Sequence, residues 1–459
     1  MATRFFSAGE IRELESWPAE AGWAELVRRF RMTTADVQWV HRSTRGAPNK
    51  VGLALQLCAL PWLGFVPADV RAAPTAAVTD VAAQLGLEAG ALAYYGHREQ
   101  TRSDHLRLVM KRLGWRTAEE DERAGWKTLR EFLADLAVER DLPGELFRRA
   151  TVHLASDRVR IVRPGVVSLM EEVAAARKIA EREVFRRIEP LLTEPRLADL
   201  DGLLEMAPEM PMTRLTWLHR RPTKYLPTAI RAGADRLVFL RDLDVHTLDL
   251  STIPDSRRRR LVELGRQLRS QPLRARQRMS KYPILLATVV ECYAELLDEL
   301  VEMFGQAMSD AEDQVAEKRE RLEEKWYRKH SWNWFPYRGP GTVDLISDGD
   351  PFTYLRRFAP VVLGEIEFAG SREAQPLLQA VEILRALYSQ GRLCVPDGAE
   401  TSFLSWSWRY HLERAAEAGK PVRYRYLWEW STLINLRDAL RRGEVSVPGS
   451  RRHANRSHS

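Results

Sequence analysis

The stretch Tyr94–Arg116 reads YYGHREQTRSDHLRLVMKRLGWR and combines a turn, a helix start and many basic side chains. Tyr95 and Gly96 are typical of a turn, and Thr101 or Ser103 can cap a helix by accepting a bond from a free backbone N–H. Apolar residues recur at helical spacing beyond that point, and basic side chains occupy other positions: His97, Arg98, Arg102, Arg107, Lys111, Arg112 and Arg116. The stretch therefore predicts a helix with one apolar face and one basic face that suits an anionic partner.

The chain on both sides of this stretch follows helical patterns. Two short helices are predicted at its start, and a threonine at 33 or 34 can cap a third. The Pro-flanked segment Leu60–Val70 predicts a rigid turn between helices, in which Trp62 packs into the core. Further on, Thr213 can cap a short helix, and Pro283–Trp326 predicts one long helix. The predicted fold class is all-α and multi-domain, with modules of the helix-turn-helix type.

Changes of composition divide the chain into four predicted segments. Residues 1–160 are predicted to form an N-terminal helical module and residues 161–281 a second one with a basic segment, and the helix-turn-helix pattern makes both candidate DNA-binding modules. A long helix and linker follow at 282–350, and a C-terminal helical unit at 351–459. With 459 residues, 45% of them hydrophobic, the chain is long enough to bury several cores.

Charge and cysteine content limit the environment and the partners. A net charge of +7 and a pI near 9.3 favour a polyanionic partner such as nucleic acid. Cys58, Cys292 and Cys394 lie far apart and show no disulfide or zinc spacing, which fits a reducing compartment. Charged residues interrupt even the apolar stretch Ile284–Val301. We therefore expect a cytoplasmic protein with no membrane partner.

The sequence shows no familiar enzyme motif. It lacks the patterns G-x-x-x-x-G-K, H-E-x-x-H and G-x-S-x-G. Asp344, Asp348 and Asp350 are close enough in sequence to suggest a magnesium site, but their Gly-rich surroundings favour a solvated turn. No cofactor and no metal site are predicted.

Three basic segments are candidates for DNA contacts. A second basic helix break lies at 214–224, and Arg257–Lys281 holds ten Lys or Arg against one carboxylate. Separated patches are expected when a protein follows a duplex over more than one turn, although a solvated helix face or, for four consecutive arginines, a flexible segment would look similar. The candidate residues are Arg98, Thr101, Arg102, His105, Lys111, Arg112, Arg214, Arg220, Arg221, Lys224, Arg257, Arg258, Arg259 and Arg260.

Four motifs stand out in the first two thirds of the chain: LPWLGFVP at 60–67, YGHREQTR at 95–102, IVRPG at 161–165 and LVEMF at 300–304. Two more follow, LRDALRRGE at 436–444 and GSRR at 449–452. With these motifs the chain resembles the N-terminal, DUF4158-type region of Tn3-family transposases. Departures from the family pattern are Ser446, His453 and the stretch 327–351.

The resemblance implies helical modules that recognise the terminal inverted repeats of a transposon. In that family an RNase H-like domain with three acidic ligands for a divalent metal such as Mg follows the G-S-R-R segment. Its ligands are expected to be absent from this chain, so no strand transfer is expected from the chain alone.

The prediction is thus sequence-specific binding to double-stranded DNA at transposon ends. Implied partners are a second copy of the chain and a separate catalytic subunit or full-length transposase, in a bacterial cytoplasm at the nucleoid. Three alternatives stay open: the recognition subunit of a split transposase, a regulator of transposition, and a decayed fragment without function.

Overall fold

A computed structural model describes most of the chain, and these residues are largely helical. Within the described part, the sheet consists of two short antiparallel strands, β1 (Ala369–Gly370) and β2 (Val445–Ser446), with Ala369 opposite Ser446. The predicted all-α class is confirmed. The described residues are 5–19, 22–96, 98–117, 125–207, 209–221, 226–330, 339–349, 351–392 and 394–454.

The chain divides into two compact units, and the first comprises Met1–Pro190 and Ser251–Arg260. Short 3-10 helices in it span Val70–Ala72 and Ala89–Tyr94. Its α-helices are α1 (Ala8–Leu14), α2 (Trp23–Arg29), α3 (Thr34–Ser43), α4 (Ala47–Leu63), α5 (Thr75–Leu85), α6 (Glu99–Leu113), α7 (Gly125–Glu139), α8 (Pro143–Ala155) and α9 (Val166–Ile188).

Helix α4 is the centre of one core of the first unit. Every residue from Val51 to Leu60 is buried, as expected of a helix that is apolar on all sides. Phe30, Val81 and Val109 pack into the same core. Helices α7, α8 and α9 enclose a second core.

The second unit comprises Leu191–Leu250 and Leu261–Ser459. Short 3-10 helices span Glu189–Leu191 at the boundary, Val245–Thr247 and Arg372–Ala374. The α-helices that complete the chain are α10 (Glu194–Gly202), α11 (Arg214–Leu218), α12 (Pro227–Asp242), α13 (Asp255–Gln267), α14 (Ser270–Arg274), α15 (Arg278–Lys329), α16 (Thr342–Ser347), α17 (Phe352–Leu355), α18 (Ala359–Glu365), α19 (Gln375–Gln390), α20 (Trp406–Glu417) and α21 (Pro421–Arg442).

The 52-residue helix α15 dominates the second unit. At 1.5 Å per residue it is about 78 Å long. Its buried side chains extend as far as Val315, and residues 316–320 are exposed. Pairs four residues apart, such as Glu317 and Arg321 at 2.5 Å, support this charged end. The long helix predicted from the sequence, with its solvated end, is confirmed.

The helix ends predicted from local sequence are confirmed for α3 and α11 but not for α4. Thr33 caps α3 by accepting a bond from the Asp36 amide at 3.2 Å, and Thr213 caps α11. The turn predicted from Leu60 is wrong at its start, because α4 continues through Pro61 to Leu63 before Gly64 ends it at φ +76°. Pro61 itself is exposed, but the ten residues before it, Val51 to Leu60, are buried, and this packing outweighs the hydrogen bond that a proline removes. The four predicted segment boundaries stay predictions.

Candidate nucleic-acid interface

Helix α6 carries the first group of candidate residues and is held on α4 by buried hydrogen bonds. It begins at Glu99, with Arg98 as the N-cap residue, so the predicted cap at Thr101 or Ser103 is wrong. The buried Tyr95 hydroxyl lies 3.0 Å from Nδ1 of His105 and accepts a bond from Gln56 Nε2 at 2.8 Å. Gln56 also donates to the Arg102 carbonyl at 3.3 Å. These bonds fix the orientation of the whole helix.

His105, one of the predicted DNA contacts, is an interior residue of the first unit. Only 6% of its surface is exposed. Burial lowers the pKa of His105 and raises the pKa of Tyr95 to about 12. A neutral imidazole can therefore accept a hydrogen bond from the Tyr95 hydroxyl. The DNA contact predicted for His105 stays a prediction, and burial does not favour it.

The lowered pKa of His105 predicts a pH-dependent stability. The unfolded chain binds a proton near pH 6.5 and the folded chain only at lower pH, so stability falls as the pH drops below about 6.5, by at most about 1.4 kcal/mol per histidine and pH unit. We expect His105→Gln to lose less stability than the wild type between about pH 7.5 and about pH 5.5. Thermal unfolding at both pH values measures this difference.

The exposed His41 offers a matched control for this measurement. Replacing it by glutamine should leave the pH dependence close to that of the wild type. Burial also lowers the pKa of His153. Part of the pH dependence of stability should therefore remain in every variant that keeps this histidine. An unchanged dependence in His105→Gln would contradict the prediction.

The basic side chains of α6 do not form the single face predicted from the sequence. Arg98, Arg107 and Lys111 are exposed. Arg107 lies 3.1 Å from Asp104, but 73% of its side chain remains exposed. For the side chains of Arg98 and Lys111, no ion pair or hydrogen bond is found within the described ranges. These two cations are therefore open to an anionic partner.

Arg112 and Arg102 lie on the flanks of α6. Arg112 is 3.4 Å from Asp36 and lies over the ring of Trp39, with 5.8 Å between its Cζ and the ring centroid. Arg102 and Thr101 are half-buried, and Arg102 Nη1 donates to the Ala68 carbonyl at 3.3 Å.

A surface depression of about 350 Å³ lies beside Arg102 in the first unit. Its lining includes Arg71, Gly96 and the buried Tyr95. Arg71 also pairs with Asp69 at 3.2 Å. Two guanidinium groups at a concave surface can hold a phosphate, and with Asp69 in the same lining they leave one net positive charge there. Arg71 was missed from the sequence because it stands alone between apolar residues.

The second group of candidates surrounds the end of α11 in the second unit. Arg214 is half-buried, with its Cζ 5.0 Å from the centroid of the Phe239 ring. Arg220 and Arg221 are exposed, and Arg221 pairs with Glu295 at 3.1 Å. Lys224 lies outside the described residues.

A cavity of about 580 Å³ in the second unit joins Arg220 and Arg221 to other charged groups. Arg266 in this cavity pairs with Glu295 at 2.7 Å. Burial raises the pKa of Glu299 and lowers the pKa of His219 there. The cavity therefore mixes both signs of charge, and it is less suited to a phosphate than the exposed cations of α6.

The four consecutive arginines of the third group lie on helix α13 and not on a flexible segment. Arg257 is only 3% exposed and pairs with Asp141 at 2.7 Å, so the DNA contact predicted for it stays a prediction that its burial does not favour. Arg258 is half-buried and pairs with Asp255 at 2.8 Å, and Arg260 is half-buried as well. Arg259 alone of the four is exposed.

No metal centre emerges from the part of the chain that the structure describes: it contains no cluster of three His, Cys, Asp or Glu side chains placed to hold an ion. Asp344 accepts a bond from the Gly341 amide at 3.1 Å and pairs with Arg423 at 2.7 Å, and Asp350 is outside the described residues. Burial raises the pKa of Cys58 and of Cys292 to about 12. Among the described helices, none has the length and apolar character needed to span a membrane.

The candidate surface consists of exposed cations on packed helices, and comparisons with known proteins give it a context. Residues 5–176 match a family described as a domain of unknown function (DUF4158). Over almost its whole length the chain is also similar to proteins named transposases.

The transposase for transposon Tn1546 of Enterococcus faecium is 24% identical over 467 residues, which cover 92% of this chain and 46% of that protein. The transposase for transposon Tn2501 of Escherichia coli is 26% identical over 471 residues, with 94% and 46% covered. For the transposase of transposon Tn501 of Pseudomonas aeruginosa the identity is 25% over 471 residues, with 93% and 46% covered.

In these three comparisons more than nine-tenths of the chain aligns with proteins named transposases, at 24–26% identity. The chain spans about half the length of the curated relatives that it matches. The predicted absence of a catalytic domain is not confirmed by them, because the relatives are compared over the shared half only.

Proposed function

We propose that this chain binds double-stranded DNA at the terminal inverted repeats of a Tn3-like transposon and serves the recognition step of transposition. The similarity to transposases over more than nine-tenths of the chain carries the proposal. The net charge of +7 supports a polyanionic partner. In a bacterial cell such a protein works in the cytoplasm at the nucleoid.

The exposed cations at the two ends of α6 are proposed to meet the DNA. Arg98 and Lys111 are exposed, and the helix that carries them is held in place on its buried side by the hydrogen bond between Gln56 and Tyr95. Rigid placement limits the entropy that a contact costs, and lysine and arginine bind phosphate oxygens. Arg102 with Arg71 adds a concave site at the same end of the helix.

Two copies of the chain are part of the proposal. The ends of such a transposon are inverted copies of one sequence, so a pair of chains related by a twofold axis matches them. A separate catalytic partner is compatible with the same arrangement.

We expect the double variant Arg98→Ala/Lys111→Ala to bind a duplex carrying the element's terminal repeat about tenfold more weakly at fixed salt. Its salt dependence should also become shallower, because each lost phosphate contact removes close to one released counterion. Fluorescence anisotropy at several salt concentrations measures both quantities, with a scrambled duplex as the test of sequence preference.

Lys127→Ala/Arg186→Ala is the matched control, since it removes the same charge from exposed side chains of the same unit. This control should change the affinity by less than about twofold. Equal losses in both double variants would show that only net charge matters and would contradict the proposed surface. A wild type that binds the repeat no better than the scrambled duplex would overturn the proposed recognition.

A further inference from the structure

Helix α20 presents an exposed aromatic pair on a well-formed element. Trp406 is 74% exposed and Tyr410 is 41% exposed. Their rings stack with centroids 5.6 Å apart and planes at 16°. Val422, which follows shortly in the chain, is 48% exposed. Exposed Trp and Tyr of this size are typical of surfaces that bind another macromolecule.

The other side of α20 is fixed by packing within the second unit. Leu412 and Ala415 are buried, and α20 packs against α21. The positions 406, 409, 410, 413 and 417 recur every three or four residues, so they share the outward face. The aromatic pair is therefore displayed by a rigid helix.

Charge on this outward face selects the kind of partner. Arg409, Glu413 and Glu417 are exposed, and for their side chains the described residues provide no ion pair. Arg414 lies over Tyr410, with 5.8 Å between its Cζ and the ring centroid. Two arginines and two glutamates leave the surroundings of the rings without a net positive charge to attract DNA phosphates, whereas a face with both signs suits a protein surface.

The order of charges on this face is complementary to itself. Arg409 and Glu413 are four residues apart, which is about 6 Å along a helix. If a second α20 lies antiparallel across a twofold axis near residue 411, Arg409 of each copy faces Glu413 of the other. Each copy then contributes one cation and one anion to two equivalent ion pairs beside the stacked rings.

We propose that the outward face of α20 is a self-association surface, on which two copies of this chain pack antiparallel. The inference rests on the proposal that two copies act together, and it names the surface. A helix of 12 residues is only about 18 Å long and therefore short for a permanent interface. The association is weak and depends on protein concentration.

Sedimentation equilibrium of the full chain without DNA, over a wide range of protein concentration, tests the proposal. The wild type should approach twice the mass of one chain, and Trp406→Ser should need about tenfold higher concentration to do so. Arg409→Glu and Glu413→Arg should each weaken the association by about tenfold, because like charges then face each other. The double variant Arg409→Glu/Glu413→Arg should restore it.

An equimolar mixture of the two single charge variants gives the sharpest result. The mixture should associate as well as the wild type, since each variant complements the other across the twofold axis. Circular dichroism should show unchanged folding, because all three side chains are exposed. A monomeric wild type, or variants that associate like the wild type, would overturn the proposal, as would single variants that do not rescue each other. DNA affinity is measured separately, so failure here leaves the proposed recognition of DNA standing.

Discussion

Replacing Asp141 by alanine is expected to lower the stability of the first compact unit by about 3–5 kcal/mol. The Asp141 carboxylate is buried between α7 and α8, where Arg177 Nε donates to it at 2.5 Å and Arg257 lies at 2.7 Å. Without the carboxylate, the guanidinium of Arg257 stays 3% exposed and loses its counter-charge. An unpaired buried charge costs far more than the pair contributes, so the loss should be large.

The consequence should appear locally as well as globally. The ion pair of Arg257 is one of the polar contacts that join the segment Ser251–Arg260 to the rest of its unit, beside Ser256 Oγ to the Glu139 carbonyl at 2.7 Å and Arg187 Nη1 to the Thr252 carbonyl at 3.0 Å. Hydrogen exchange in this segment and in α7 should therefore accelerate in Asp141→Ala. Denaturant unfolding followed together with hydrogen exchange measures the change unit by unit, which a chain with two units requires.

Two further variants test whether the stability loss in Asp141→Ala comes from burying an unpaired charge or from losing any ion pair. The side chain of Asp157 is 95% exposed, and its carboxylate lies 3.1 Å from Arg160. Asp157→Ala should therefore lower the free energy of unfolding by less than about 1 kcal/mol. Asp141→Leu/Arg257→Met replaces the buried pair by apolar groups and should recover most of the lost stability. Equal costs for Asp141→Ala and Asp157→Ala would refute the assignment of a buried ion pair.

The elements of the fold could be predicted where the signal is local. Thr33 and Thr213 act as caps because a cap needs only its own side chain and the next three residues. The long apolar periodicity of α15 likewise lies within one segment. The first residue of α6 could not be predicted from the capping pattern at Thr101. Tertiary contacts of Tyr95 and Gln56, which are far apart in the sequence, set the beginning of that helix.

The candidate site could be predicted only in part, since the accessibility of a cation depends on residues far away in the sequence. Asp141 is more than one hundred positions from Arg257, and no spacing rule connects them. The sequence did contain a partial indication of burial. Arg257 lies four residues before Leu261, and His105 lies four residues before Val109, so Arg257 and His105 each fall on the apolar stripe of their helix. Such periodicity indicates burial, and it favours Arg98 and Lys111 over these two as DNA contacts.

Replacing Gly52 by alanine is expected to destabilise the first unit by about 1–3 kcal/mol, against the usual preference for alanine in a helix. A Cβ atom at Gly52 would lie 2.4 Å from ring carbons of Tyr95. Tyr95 is 2% exposed, and its hydroxyl is hydrogen-bonded to Gln56 and His105. The ring therefore cannot move without leaving buried polar groups unpaired.

Gly9 and Tyr95 provide the comparisons for the Gly52 prediction. Gly9→Ala in α1, where the nearest atom is 3.9 Å from the added Cβ, should be neutral or stabilising by up to about 1 kcal/mol. Tyr95→Leu removes the ring, so adding Gly52→Ala to it should cost little, and a double-mutant cycle measured by denaturant unfolding should show coupling above about 1 kcal/mol. Additive effects would contradict the packing. Because the same contact orients α6, Gly52→Ala should also weaken DNA binding, whereas Gly9→Ala should leave it unchanged.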